Sequence, residues 1–381
     1  MVVAPLCPLF GTCGGCSFQD IPYEQQVAQK LAQVKGFFQE NNVPLPEEVP
    51  VITDKPFGYR SRMDFAFSFD GPGLRRKGRF WDINPVRECA LSNENLNKLL
   101  AEVWLFFEQE RANLDVFTHR ENLGTIKYAV IRTPGISGRT CITFILNRES
   151  PRLEEHINLL KKFAEHCTAD TVLYGAVGAK QDLSIAKDIV ALKGDIFLEE
   201  ILCGKLLRFH SQAFFQNNSS IAEKMLQHVR GLIADTISKH LLLVDLYGGA
   251  GTFGVTLADL FKKVLVIDND PGNILSAKEN ISINNIINAE AKCADAQAIL
   301  ELPPQNMVLM LDPPRCGLHP KVFKRIIELK PERIVYVSCN PKQLAVELAL
   351  FKEFYEIKTL TVFDHFPQTP HIEAISLLTL K

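Results

Sequence analysis

Two side chains near the end of the chain could together make and break a covalent bond. Cys339 stands in Ser338-Cys339-Asn340-Pro341, directly after the apolar run Ile334–Val337. A parallel strand over that run delivers Cys339 at its carboxyl end, where α/β folds carry catalytic side chains. A thiolate is the nucleophilic form of cysteine. Glu373, in His371-Ile372-Glu373, stands just before the last apolar run and offers a carboxylate as proton acceptor. Taken singly, each has a plainer reading: a core cysteine at a strand end, and a solvated acid at a turn.

The elements that must position this pair supply a second substrate. The run Leu241–Leu246 leads into Asp245-Leu246-Tyr247-Gly248-Gly249-Ala250-Gly251, and the next apolar run ends at Asp268. Glycines serve where backbone turns tightly and a ligand comes close. An acid about 20 residues past such a turn can meet a ribose hydroxyl pair. The glycines are not in the dinucleotide register. They are similar to motif I of S-adenosylmethionine (SAM) methyltransferases, although a dehydrogenase or a purely structural turn remains open. Cys293-Ala294-Asp295 follows at the third strand position. Leu311-Asp312-Pro313-Pro314-Arg315 sets a rigid loop at the same sheet edge. Amine-directed methyltransferases follow such an Asp-Pro-Pro with an aromatic; Arg315 in that place argues against an amine acceptor.

A thiol beside a methyl donor makes chemical sense for uracil. Carbon C5 of uracil is a poor nucleophile. Thiolate addition at C6 places electron density on C5, which can then attack the methyl group, and a base must finally remove the C5 proton.

Ser338-Cys339-Asn340-Pro341 and His371-Ile372-Glu373, after Asp312-Pro313-Pro314-Arg315, resemble the RNA 5-methyluridine (uracil-C5) methyltransferase family. Phe214-Phe215-Gln216-Asn217-Asn218 matches that family's Phe-Phe-Gln-x-Asn segment, and Phe57-Gly58-Tyr59-Arg60-Ser61-Arg62 its Arg-rich central segment. The resemblance implies that Cys339 is the nucleophile and Glu373 the proton acceptor. It places Gln216, Tyr247, Asp268 and Asp312 on SAM-site positions, some of them able to touch the uracil too. Two departures stand out. Tyr247-Gly248-Gly249 replaces the usual Phe-Cys-Gly, and Asp268 the usual Glu; an aromatic and a carboxylate are retained.

Cys7, Cys13 and Cys16 are spaced C-x5-C-x2-C, and Cys89 can complete a set of four thiols, with Cys203 a rival. Zinc and a [4Fe–4S] cluster both accept four thiolates. The family resemblance implies the [4Fe–4S] cluster. Its expected role is to staple the N-terminal segment and help present an RNA surface, since C5 methylation moves no electron. The remaining cysteines read as buried small residues.

The chain has 42 Lys plus Arg against 44 Asp plus Glu, a net charge of −2, so an overall basic footprint is excluded. Positive charge is instead local. Arg60, Arg62, Arg75, Arg76, Lys77, Arg79 and Arg87 are opposed only by Asp64, Asp70 and Asp82 over that stretch, with Tyr59, Phe65, Phe80 and Trp81 interleaved. That pattern suits RNA phosphates and unpaired bases, with a solvated strand face as the plainer reading. No apolar run approaches the ~20 residues of a bilayer span. Met1–Cys7 lacks a basic, long apolar leader. A monomer in a reducing cytoplasm, without membrane contact, is expected.

The expected architecture is α/β. A cysteine segment and helix occupy 1–55, with Val27, Leu31, Val34 and Phe38 on one face, and a Pro-rich linker runs from Pro44 to Pro56. A mixed α+β RNA-binding domain follows over 56–205, and a Rossmann-like, doubly wound SAM methyltransferase domain over 206–381. Runs Ile357–Val362 and Ala374–Leu380 are too close for a crossover helix and predict an antiparallel edge hairpin. The chain begins at the cysteines, with no room for the N-terminal β-barrel of some family members. That architecture is similar to the 23S rRNA branch, so an rRNA loop is the expected substrate. A tRNA uridine, a cytosine C5 and a non-catalytic RNA-binding role are the alternatives.

Overall fold

A computed structural model describes residues 3–118, 120–234, 238–301 and 306–381. The first two residues of the Met1–Cys7 segment lie outside the described residues. Backbone contacts divide the chain into two units. One comprises 1–22, 55–199 and 210–219; the other 23–54, 200–209 and 220–381. This differs from the expected division at 55 and 205. The cysteine segment belongs with the central strands, while the helix Tyr23–Glu40 packs in the C-terminal unit. Composition marks where a chain changes character, but contacts decide which core a segment joins.

The first unit holds a seven-stranded sheet, in the order Arg79–Pro85, Gly71–Arg76, Arg62–Ser68, Ile126–Arg132, Cys141–Asn147, Thr171–Val177, Ile189–Lys193. Alternation splits its side chains between two faces. Phe65, Phe67, Ala129, Ile131 and Phe144 meet the helix Glu94–Glu110 through Leu96, Leu100, Val103 and Phe107; Ala66, Tyr128, Val130 and Ile145 form a smaller core. Asn93 caps that helix, its side chain accepting the Leu96 N–H at 2.9 Å. The Leu153–His166 helix bridges the parallel pair Cys141–Asn147 and Thr171–Val177.

The second unit is the doubly wound sheet expected from the strand–helix alternation. Its order is Val51–Ile52, Tyr355–Phe363, Glu373–Leu380, Arg333–Ser338, Met307–Leu311, Leu242–Leu246, Lys263–Asp268, Ala289–Cys293. Five strands run parallel from Arg333–Ser338 to Ala289–Cys293. Continuous apolar runs such as Met307–Leu311 fit strands buried on both faces. Helices begin sharply after Asp270, His319 and Asn340, each a cap followed by Pro271, Pro320 or Pro341. The last two strands are the expected antiparallel hairpin. They are not the sheet's edge: Val51–Ile52, inside the Pro-rich linker, adds a parallel strand outside them. Among the described residues no helix is long and apolar enough to cross a membrane.

Strand order reverses at Leu242–Leu246, which has Lys263–Asp268 on one side and Met307–Leu311 on the other. Ligands of open α/β sheets bind at the carboxyl ends beside such a switch point.

Candidate active site

The strand Leu242–Leu246 ends in a turn shaped by its neighbours. Tyr247 takes φ +65°. A Cβ on Gly248 or on Gly254 would stand 2.6 Å from the Val266 side chain, so only glycine fits either position. Asp245 is fully buried and accepts the Gly254 N–H at 2.8 Å; burial pushes its carboxyl up to about 7. The second strand delivers Asp268. Its Oδ2 accepts the Gly249 N–H at 2.9 Å, and its Oδ1 accepts from Asp270 N–H and Asn273 Nδ2 at 2.9 and 3.1 Å. The turn and the acid are thus locked together.

These residues open on a cavity of about 370 Å³, lined among others by Tyr247, Asp268, Asp295, Pro314, Cys316 and His319. Two of the predicted SAM-site residues, Tyr247 and Asp268, therefore share one cavity with the Asp295 noted after the third strand. Asp312 is two residues from Pro314 on the same loop and does not line this cavity. Gln216 belongs to the other unit, in its 210–219 segment.

The loop that carries Asp312 is held by a residue the sequence did not single out. Glu347, buried on the helix Pro341–Phe351, accepts the Leu318 N–H at 2.7 Å, the Gln343 side chain at 2.9 Å and the Tyr336 hydroxyl. Gly317 lies against it at φ +80°, where a Cβ would come within 1.9 Å of Glu347 Oε1. A lone acid inside a helix gives no sequence signal for this role; only its burial does.

Cys339 and Glu373 are brought together. Arg333–Ser338 pairs antiparallel with Glu373–Leu380, and Ser338 is the partner of Ala374. Cys339 directly follows the first of these strands and Glu373 is the first residue of the second, so the two stand at the same end of the pair. Burial pushes the half-buried Cys339 thiol up to about 11, with the charges of Glu373 and Asp312 adding and Arg315 opposing. Glu373 is buried, and burial lifts it to about 7. Asp312 is held well above the usual carboxylate range, first by burial and then by Glu373 and Asp245. Asn340 ties the Cys339 turn to the Asp-Pro-Pro loop, its Nδ2 donating to Arg315 O at 2.9 Å. Cys339 also precedes the amino end of the helix Pro341–Phe351, whose dipole favours a thiolate. A half-buried thiol, a carboxyl that burial lifts to about 7 and a cavity of about 370 Å³ thus sit at the carboxyl edge of one sheet.

The four predicted metal ligands also converge. Cys7, Cys13, Cys16 and Cys89 line one small cavity of the first unit, together with Leu9, Met63 and other residues. No Lys or Arg is among the described residues lining it. Burial raises Cys16 to about 11, and each of the other three cysteines adds to that. Cys203 does not line the cavity. Among the described residues no group of three or more His, Cys, Asp or Glu side chains is placed to hold one metal ion.

The arginine-rich stretch is partly committed within the fold. Arg62 pairs with Asp64, Arg75 with Asp182, and Arg87 with Glu108. Arg76, Lys77, Arg79, Phe80 and Trp81 are exposed at the Gly71–Arg76/Arg79–Pro85 hairpin. The cysteine loop is bonded to this hairpin: Gly14 N–H donates to Arg75 O at 2.9 Å and Lys77 N–H to Thr12 O at 2.8 Å.

Comparisons with known proteins show what the chain is similar to. The family model described as tRNA (Uracil-5-)-methyltransferase matches residues 22–299 and 304–381. The chain is 32% identical over 378 residues to the tRNA (uracil(54)-C(5))-methyltransferase of Pyrococcus furiosus, covering 99% of this chain and 85% of that protein. It is 31% identical over 381 residues to an uncharacterized RNA methyltransferase of Caldanaerobacter subterraneus subsp. tengcongensis, covering 98% and 84%. Among solved structures, the Pyrococcus abyssi tRNA (uracil-54, C5)-methyltransferase in complex with S-adenosyl-L-homocysteine is similar with a TM-score of 0.81. Its sequence is 28% identical, covering 97% of this chain and 86% of that one.

Proposed function

The chain belongs to the tRNA (uracil-5-)-methyltransferase family, and from that premise we propose that it transfers the methyl group of SAM to C5 of an RNA uridine through a covalent Cys339 adduct. The Cys339 thiolate adds to C6, and the C5=C6 electron pair moves to give an enolate. C5 then attacks the SAM methyl group, and S-adenosylhomocysteine leaves. The Glu373 carboxylate takes the C5 proton; the released pair re-forms C5=C6 and expels the thiolate. The observation that carries this reading is the pairing of Ser338 with Ala374, which brings the neighbouring Cys339 and Glu373 to one end of the strand pair, near enough for the Glu373 charge to act on the thiol.

Tyr247 and Asp268 hold SAM in the cavity at the switch point, with Asp312 and Gln216 as the further cofactor residues. The exposed hairpin cations with Phe80 and Trp81 are the RNA contacts, a phosphate-plus-stacking surface. The target is a loop uridine, because the base must leave its stack to reach Cys339. The relatives named for uracil 54 of tRNA favour a tRNA uridine, ahead of the 23S rRNA uridine suggested by the architecture.

Cys7, Cys13, Cys16 and Cys89 are the ligands of a [4Fe–4S] cluster, with zinc the alternative. Four thiols around one cavity without a cationic lining suit either. Held by these cysteines, such a group would brace the cysteine loop against the basic hairpin and would take no part in methyl transfer, which is redox-neutral.

The test is incubation with methyl-labelled SAM and, separately, tRNA and 23S rRNA transcripts. The expected product is 5-methyluridine, mapped by nuclease digestion and mass spectrometry, with tRNA the better substrate. RNA carrying 5-fluorouridine should stall as a denaturation-resistant complex at Cys339, since fluorine cannot leave as a proton does. Label on another base, or no stable complex, counts against the mechanism.

A further inference from the structure

The helix Tyr23–Glu40 buries Gln26, Lys30, Val34 and Phe38, a stripe at four-residue spacing. Val34 and Phe38 join the core of the methyltransferase sheet. Gln26 and Lys30 are as deeply buried but polar, and their bonds converge on one loop. Lys30 Nζ donates to Asp364 Oδ1 at 2.6 Å and to Phe366 O at 3.1 Å. The Tyr23 hydroxyl donates to Asp364 Oδ2 at 2.8 Å. Gln26 Nε2 donates to Gln368 Oε1 at 3.0 Å, and Gln26 Oε1 accepts the Gln368 N–H at 3.2 Å. Lys30 is 1% exposed and Asp364 0%.

A buried ion pair is poor evidence of stabilisation, because an apolar pair of similar size often serves as well or better. What charged and amide contacts add is direction: they admit one placement of the loop and penalise others. Gln368 is held at φ +67°, a left-handed backbone rare for a residue with a side chain. The segment so clamped, 364–372, joins the strands Tyr355–Phe363 and Glu373–Leu380. It ends at Glu373.

We propose that Lys30 and Gln26 are positioning residues for proton removal: the N-terminal helix clamps the 364–372 loop so that the Glu373 carboxyl stays at the Cys339 end of the strand pair. This rests on the reading of Glu373 as the base. The clamp acts on the last step of the cycle, so its loss slows elimination more than methyl transfer.

The experiment uses the full chain with RNA and labelled SAM. It reads product release, SAM affinity and the fraction of protein in denaturation-resistant, methylated RNA adduct. The variants are Tyr23→Phe, which removes one hydroxyl, and the double variant Lys30→Met/Asp364→Asn, which leaves no buried charge unpaired. The double variant should keep SAM affinity within twofold, release product at least tenfold more slowly and accumulate methylated adduct. Tyr23→Phe should do the same to a smaller degree. Parental release, or equal losses in adduct formation and release, overturns the proposal. Should the double variant not fold, Tyr23→Phe decides alone, and absence of adduct there overturns the proposal. Glu373→Gln is the reference: if it fails to trap adduct, the assignment of the base falls, whereas trapping there but in neither clamp variant sinks only the clamp.

Discussion

Glu373 opens the strand that pairs antiparallel with Arg333–Ser338, Cys339 directly follows that partner strand, and the Glu373 charge is among the causes that raise the Cys339 thiol to about 11. Removing the charge must therefore lower the thiol. In Glu373→Gln, the pH midpoint for alkylation of Cys339 by iodoacetamide should move down relative to the parent. An unmoved or raised midpoint would show that the two groups do not face each other.

Glu373 itself is lifted to about 7 by burial. Only its carboxylate can accept the C5 proton, so the ionised fraction grows as pH rises through that value. Turnover should climb between pH 6 and 8, and methylated adduct should build up on the acid side. A single-turnover pH series that quantifies adduct and free product checks this; an adduct fraction independent of pH contradicts it.

Cys339→Ala should remove all methyl transfer while SAM affinity stays within twofold, because the cavity that includes Tyr247 and Asp268 does not include Cys339. Glu373→Gln should instead complete methyl transfer once and stop, holding RNA covalently. Label in RNA and equilibrium binding of SAM separate the two phenotypes.

Gly317→Ala forces a side chain into a left-handed backbone and against Glu347, which holds the cavity loop. We expect a loss of about 2 kcal/mol in stability and a weakened grip on SAM. Thermal unfolding with and without SAM measures both. A fully parental variant would mean that the loop relaxes at no cost.

Cys16→Ser should remove the proposed metal centre, lower the unfolding temperature and leave SAM affinity unchanged, because the cysteine cavity and the one proposed for SAM belong to different units. Iron, sulfide and zinc analysis of protein purified without oxygen identifies the centre. Parental metal content in the variant would remove Cys16 from the ligand set.

Much of this was legible in the amino-acid order because chemistry and periodicity coincide there. Met307–Leu311 is apolar throughout and forms a strand with those bounds, and the runs Ile357–Val362 and Ala374–Leu380 pair as the antiparallel hairpin their spacing predicts. What escaped reading was of another kind. Val51–Ile52 is too short for any period, and its place is set by pairing with Val362 and Phe363. The helix Tyr23–Glu40 buries Gln26 and Lys30 more deeply than Val27 and Leu31, because those polar groups find partners more than 330 residues away. Asp70-Gly71-Pro72-Gly73 has the composition of a turn and a hairpin does form there, but Gly71 and Gly73 lie inside its second strand. There the Trp104 ring and the Asn84 carbonyl leave no room for a Cβ.

The interleaving of the two units has a consequence for how the molecule is made. Lys30 leaves the ribosome 334 residues before Asp364, which at roughly 5–20 residues per second is on the order of half a minute. Glu373–Leu380, which sits inside the sheet, emerges last of all the strands. The second unit can close only after Glu373–Leu380 has emerged, and the helix Tyr23–Glu40 waits for its Asp364 partner meanwhile. Cutting the gene at residue 206 would strip that half of its buttress and outermost strand, so neither unit can be obtained by simple truncation.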